Sequence, residues 1–231
     1  MRIAIDHSIV VDFPATRSHL TLALRVTPED SAGQTVSGWR IGPDCDARLR
    51  TGHDGFGNVL TMLYADGPLD RIEIHVAGEV FTGPSSGILN AAHPEPLPPS
   101  LFLRVAPVSA DAPDLAALAI AAVGEDSEGI DRLHLLNRAL HDRGAGISTG
   151  ERTEAFVIAA RRLNYPARCV SGYLGDGGTG SSPHVWAEAH VPQVGWIGFD
   201  PMTGLSAGED HARVASALDL AGVAPVTGGP V

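Results

Sequence analysis

The stretch that most limits how this chain can fold is a helix with no polar side. From about Gly150 to Leu163 it carries Ala155, Phe156, Val157, Ile158, Ala159, Ala160 and Leu163. A helix that is apolar almost all round has to be buried inside a domain. Asn164-Tyr165-Pro166 stops it, and short strands follow at Ala167 to Tyr173, His184 to Val191 and Trp196 to Asp200. Two further helices precede it. Asp114 to Val123 is short and rich in alanine. Ser127 to Arg143 puts Ile130, Leu133, Leu136 and Leu140 on one face, with Gly144 and Gly146 as its stop.

The beginning of the chain has a different period. Across residues 1–90, Ile3, Ile5, His7 and Ile9 alternate with Ala4, Asp6 and Ser8. Leu20, Leu22 and Leu24 alternate with Thr21, Ala23 and Arg25, and Ile72, Ile74 and Val76 with Arg71, Glu73 and His75. Such alternation, with a turn signal at His53-Asp54-Gly55-Phe56-Gly57-Asn58, predicts an antiparallel sheet or sandwich. Residues 91–113 hold Pro94, Pro96, Pro98, Pro99, Pro107 and Pro113 and read as a connector. The expected class is α+β: an N-terminal antiparallel β domain over 1–90, then a core over 114–231 in which a helix packs on a sheet. Gly175 to Ser182 reads as a hairpin loop, or as a flap over His184. It lacks the Gly-Lys-Ser/Thr ending of a phosphate-binding loop.

Charge narrows the partners. A formal net charge of −11 argues against nucleic acid and against an anionic membrane. No apolar run approaches the ~20 residues that span a bilayer. The N-terminus alternates rather than forming the apolar stretch of a signal peptide. The expected location is therefore cytoplasmic. All sixteen basic residues are arginine, so no lysine side chain of this chain could serve as the amine of a crosslink. Cys45 and Cys169 form neither a metal spacing nor a disulfide framework, and read as reduced thiols.

His184, Trp186 and Glu188 share one face of their strand, and Asp200 lies on the next strand across Pro192-Gln193-Val194-Gly195. In a hairpin, His184 and Asp200 become diagonal neighbours, about 5–8 Å apart at the backbone. Imidazole and carboxylate are two parts of a catalytic triad, the third being a nucleophile at a helix N-terminus. A metal site built from His184, His190 and Asp200 lacks a further ligand, so neither metal nor cofactor is expected. His134 and His141 read as solvated helix residues.

These segments resemble the bacterial transglutaminase-like superfamily, with its papain-like cysteine protease fold. Pro166-Ala167-Arg168, His184-x-Trp186-x-Glu188 and Gly195-Trp196-x-x-x-Asp200-Pro201 stand in that family's order. Residues 1–90, with Asp54-Gly55-Phe56-Gly57-Asn58, look like the β-rich N-terminal domain of its bacterial members. The resemblance implies that His184 is the base and Asp200 its orienter. In active relatives a thiolate attacks a carboxamide or peptide carbonyl, and water or an amine resolves the acyl-enzyme.

One position departs from the pattern. The family opens its buried helix on Gly-x-Cys-x-Asp/Glu-Phe/Tyr-Ala. Counting back from Pro166 without a gap puts Thr149 at the cysteine and Glu151 at the acidic position, with Arg152 and Thr153 after it. A one-residue gap puts Ser148 there instead. Ser148-x-x-Glu151 also fits a helix capping box. Cys169, in a strand, is a poor substitute nucleophile. The leading expectation is a pseudoenzyme that binds a peptide or protein in the retained cleft, with Trp186, Trp196 and Glu151 as binding candidates. The alternative is an amide hydrolase or acyltransferase using the hydroxyl. After Asp200, His211-Ala212-Arg213-Val214 resembles a further family strand. Beyond it, two expectations stand for the C-terminal edge: a core trimmed there, or one completed by a homo-oligomer or a partner chain.

Overall fold

The structure is a computed structural model that describes residues 1–85, 87–89, 96–124, 127–143, 146–178 and 180–230. In chain order the elements are β1 (Arg2–Leu24), β2 (Gln34–Pro43), β3 (Ala47–His53), β4 (Val59–Thr82) and β5 (Ile88–Leu89). A 3-10 turn (Pro99–Leu103) follows, then α1 (Ala112–Val123), α2 (Gly129–His141) and α3 (Thr149–Arg162). The chain continues with β6 (Ala167–Gly175), β7 (Ser181–Val191), β8 (Gly195–Asp200), β9 (Leu205–Ser206), β10 (His211–Ala217) and β11 (Val226–Pro230). Strand predominates, and the helices cover one face of the second sheet. Among the described residues, no helix is long and apolar enough to cross a membrane.

The first sheet has the order β11-β1-β4-β2, with β3 also on β4. β1 and β4 run antiparallel from Arg2↔Phe81 to Leu24↔Thr61, with register shifts between Asp12 and His19. Such irregularities bend a ladder. Leu20, Leu22, Leu24, Ile72, Ile74 and Val76, apolar positions of the predicted alternation, form the core of this unit together with Leu63. The second sheet has the order β10-β6-β7-β8-β5, with β9 on β8. α3 lies between it and the other helices. Ala155, Phe156, Ala159 and Ala160 are fully buried against Ala187, Ala189 and Phe199, and the rings of Phe156 and Phe199 stack at 5.1 Å. A third apolar cluster joins the two sheets, with Ile3, Ile5 and Val80 meeting Tyr173, Ala212, Val214 and Ala215.

Sheet membership does not follow the expected domain ranges. Ile88 and Leu89, inside 1–90, pair with β8 of the core, and β11, inside 114–231, pairs with β1. Each unit lends the other an edge strand. Pairing partners come from tertiary packing, which a scan for composition shifts does not register. The proline-rich connector also contains structure: its 3-10 turn buries Phe102, while 91–95 lie outside the described residues. α2 ends at His141, ahead of the expected glycine stop, and Gly144 lies outside the described residues. In the Gly175 to Ser182 hairpin, the Asp176 carboxylate accepts the N–H groups of Gly178 (2.8 Å) and Gly180 (3.1 Å); Thr179 is not among the described residues.

The outer edge of β10 is met by the chain's own amides. Gln34 Nε2 donates to the Arg213 carbonyl at 2.8 Å, and the Arg213 N–H donates to Gln34 Oε1 at 2.9 Å. Asn58 repeats this at Ser216, at 2.9 and 2.7 Å. Each amide completes a donor and acceptor pair that an added strand would otherwise fill. Asn58 is held in turn by Asp54, whose carboxylate accepts from Asn58 and from Arg25 Nε. The Asp-Gly-Phe-Gly-Asn turn is thus a latch between the two units. Gly172 is fixed by close approach: a Cβ there would lie 2.0 Å from the Ala212 carbonyl oxygen. Asn58→Ala strands the buried N–H and C=O of Ser216, each costing about 1–3 kcal/mol. Denaturant unfolding should show a loss of about 2–3 kcal/mol, several times that of an exposed control such as Ser100→Ala.

Candidate functional site

β7 alternates as the sequence requires. Ala187, Ala189 and Val191 face the helix layer, while His184, Trp186 and Glu188 fall on the opposite face. The β7–β8 register pairs Ala187 with Phe199. One step on, Asp200 stands opposite Trp186 and diagonal to His184. The expected pair forms: His184 Nε2 lies 3.0 Å from Asp200 Oδ2. Asp200 is fully buried and also accepts the Met202 N–H at 2.8 Å. Burial alone would raise its carboxyl. The hydrogen bonds from His184 and His211 outweigh burial and hold it well below the usual carboxylate range. With Asp200 ionised, His184 Nε2 carries the proton and Nδ1 is the acceptor. Among the described residues Nδ1 has no hydrogen-bond partner, the disposition a general base needs.

The helix supplies the other side of the site. Thr149 is the first residue of α3, and with His184 it lines a cavity of about 190 Å³. His7, Arg25 and Val26 from the N-terminal unit line the same cavity, as do Ser171, Gly172, Tyr173, Pro183 and Val185. Ser148 does not. Its hydroxyl is engaged in the capping box: Glu151 N–H donates to Ser148 Oγ at 3.2 Å, and Ser148 N–H donates to Glu151 Oε2 at 2.7 Å. The structure thereby separates the two candidate hydroxyls. Thr149 is at the cleft, and Ser148 caps the helix on the exposed surface. Glu151, a binding candidate, is the other half of that cap. Ser148's hydrogen bonds lower its carboxyl. Arg152, at the family's aromatic position, reaches across to the α2 carbonyls of Leu140 and His141.

Neither tryptophan presents a free face. Trp186 is buried against His184 and His211. Trp196 is buried with the Arg168 guanidinium 3.9 Å over its ring. Beneath the site lies an ion cluster. Fully buried Glu188 bonds Arg168 Nε at 2.6 Å and Arg213 Nε at 2.7 Å. Burial opposes ionisation, but the two arginines prevail and hold Glu188 at about 2. This explains why the Pro-Ala-Arg and His-x-Trp-x-Glu strands carry those residues.

Sequence reasoning missed two site residues, Arg213 and His211. His211 Nε2 is 3.3 Å from the same Asp200 oxygen, and Nδ1 is 2.6 Å from Asp210. Burial lowers the basicity of His211, but these carboxylates raise it overall. The sequence signal was the His-x-Arg alternation of β10, and nothing local tied it to Asp200. The cluster also corrects the weighed metal set. His211, not His190, completes a group with His184 and Asp200 whose donor atoms lie within 4.8 Å of one another, while His190 packs on Trp196. These donors are already joined by hydrogen bonds.

Residues 3–81 match the model of the bacterial transglutaminase-like N-terminal region, and residues 125–201 match that of the transglutaminase-like superfamily. The chain belongs to the transglutaminase-like superfamily. The crystal structure of a candidate cysteine protease from Cytophaga hutchinsonii superposes with a TM-score of 0.74 at 15% identity, covering 98% of this chain and 85% of that one. The fold is thus shared with a solved structure over nearly the whole chain, its papain-like part being the core. The ethylmercury-bound periplasmic domain of TgpA from Pseudomonas aeruginosa aligns at 14% identity over 89% of this chain and 91% of its own, with a TM-score of only 0.37. No curated protein matches the chain.

In this superfamily member the Glu188 cluster ties β6, β7 and β10 together under His184. Glu188→Gln leaves two arginines facing a neutral amide, and breaking such a buried pair costs about 3–5 kcal/mol. Chemical unfolding at pH 7 should show a loss of about 3 kcal/mol or more. Glu188 is depressed in the folded state, so its contribution is complete above an unfolded glutamate's value of about 4.3 and fades as pH falls toward 2. The gap between wild type and variant should narrow over that window.

Proposed function

We propose that this chain is a transglutaminase-like protein without thiol chemistry, and that its cleft binds a peptide or protein. The observation that carries the reading is the placement of Thr149 at the wall of the His184 cavity, with both cysteines elsewhere. Cys169 is 1% exposed in the helix–sheet core, where burial pushes its thiol up to about 12, far from a reactive thiolate. Cys45 sits in the N-terminal unit. A helix N-terminus facing an oriented imidazole suits a thiol because the dipole and the base together ionise it. Threonine keeps its proton there, so the His184–Asp200 pair is left with no ionised nucleophile. A cavity of about 190 Å³ admits one side chain of a bound peptide rather than a whole ligand.

A second reading rests on the same wall. If Thr149 Oγ attacked a carboxamide carbon, His184 would take the hydroxyl proton and pass it to the departing amine, leaving an ester acyl-enzyme. A fluorophosphonate probe decides between the two. Wild type should remain unlabelled at Thr149; labelling that disappears in His184→Ala overturns the pseudoenzyme reading. Thr149→Cys should gain iodoacetamide reactivity at pH 7 at least tenfold above that of Cys169, and should lose it again when His184→Ala is added. Short glutamine- and glutamate-containing peptides should shift the melting temperature of wild type, and a panel with no shift removes peptide binding.

A further inference from the structure

The chain is acidic overall, yet among the described residues no acidic one lines the Thr149–His184 cavity. Its polar lining consists of Arg25, His7, His184, Tyr173, Thr149 and Ser171. Three features at this wall leave hydrogen-bond donors without a partner among the described residues. First, the cavity lies at the start of α3, a 14-residue helix, and among the described residues the N–H groups of Thr149 and Gly150 have no acceptor. The first N–H groups of a helix and its dipole together favour an anion. Second, Ser171 is 7% exposed, and its buried hydroxyl has no hydrogen-bond partner. Buried hydroxyls are rarely left unpaired, so one on a cavity wall calls for an occupant. Third, Arg25 is fixed by Asp54 at 2.9 Å through Nε and by Thr227 at 3.2 Å through Nη1, while its Nη2 has no partner among the described residues.

We propose that this cavity binds a carboxylate, presented by an acidic side chain or a C-terminus of a peptide, with Ser171, Arg25 and the α3 N-terminus as its hydrogen-bond donors. The proposal rests on the cleft-binding reading above and adds the charge of the group that enters. Thr149 suits this role: an ionised thiol at the same place would repel the anion, whereas a neutral hydroxyl donates to it. Arg25 comes from β-rich residues outside the core, so the N-terminal unit completes the site. A glutamine side chain has the same shape as glutamate but only one acceptor oxygen, and its NH₂ would face donors.

The test measures affinity of the full chain by calorimetry for four probes. These are a peptide with internal glutamate and an amidated end, its glutamine isostere, a peptide free of acidic residues with a free C-terminus, and N-acetylglutamate α-amide. The glutamate or free-terminus peptide should bind at least tenfold tighter than the glutamine isostere, and whichever of the two binds identifies the source of the carboxylate. Ser171→Ala should weaken that binding about tenfold with an unchanged melting temperature, and Arg25→Gln should abolish the preference for glutamate over glutamine. Equal binding of glutamate and glutamine peptides overturns the carboxylate proposal and leaves the cleft reading standing. Binding of N-acetylglutamate α-amide without any peptide overturns peptide binding and leaves the carboxylate site. Tight glutamate binding that is indifferent to both substitutions places the anion elsewhere and overturns the proposal.

Discussion

Glu188 is a carboxylate with no access to water, and the second sheet is organised around keeping it charged. An isolated buried carboxylate is too costly to ionise, so it must be met by cations and hydrogen bonds. Arg168 approaches from β6 and Arg213 from β10, so three strands are held by one side chain. Arg168 in turn needs an apolar cover that tolerates its charge, and the faces of Trp196 and Phe102 supply it. Once these strands are in register, His184 stands four residues from Glu188 on the same face, with Trp186 between them, and Asp200 is brought beneath it. The geometry at the cleft is therefore inherited from an ion cluster that plays no direct part in its chemistry.

The two units interlock through backbone groups and not through apolar contact alone. Side-chain amides of Gln34 and Asn58 imitate a neighbouring strand along β10, and β5 and β11 cross between the sheets. This has a functional consequence, because the cavity at Thr149 draws wall residues from both units. Moving the N-terminal unit would open the cleft and carry Arg25 away from it. The latch at Asp54 holds Arg25 and Asn58 together, so the hydrogen bonds that join the units also position a residue of the site.

The capping box at the start of α3 shows how a local rule and a site coexist. Ser148 and Glu151 satisfy two helix N–H groups between them, which uses up both side chains. Thr149 lies between them in sequence, makes no cap bond and turns to the cavity. Its position at the helix start is what would make a thiol reactive there, and a hydroxyl at the same point keeps only the donor function.

Much of this was set by the sequence alone, because it depends on periodicity and short spacings. The period-2 runs of residues 1–90 and the apolar girth of residues 150–163 fixed sheet and buried helix. The two-residue steps from His184 to Glu188, and the tight turn to Asp200, fixed the imidazole–carboxylate pair. The S-x-x-E spacing fixed the cap. Only the tertiary structure could decide what depends on non-local pairing: that β11 returns to β1, that Arg213 and His211 arrive from β10 beneath the site, and that Thr149 rather than Ser148 faces the cavity. The reason is physical. Local patterns determine which face of an element is apolar, whereas the choice of neighbour is made by whichever long-range contacts can satisfy buried charges and strand edges together.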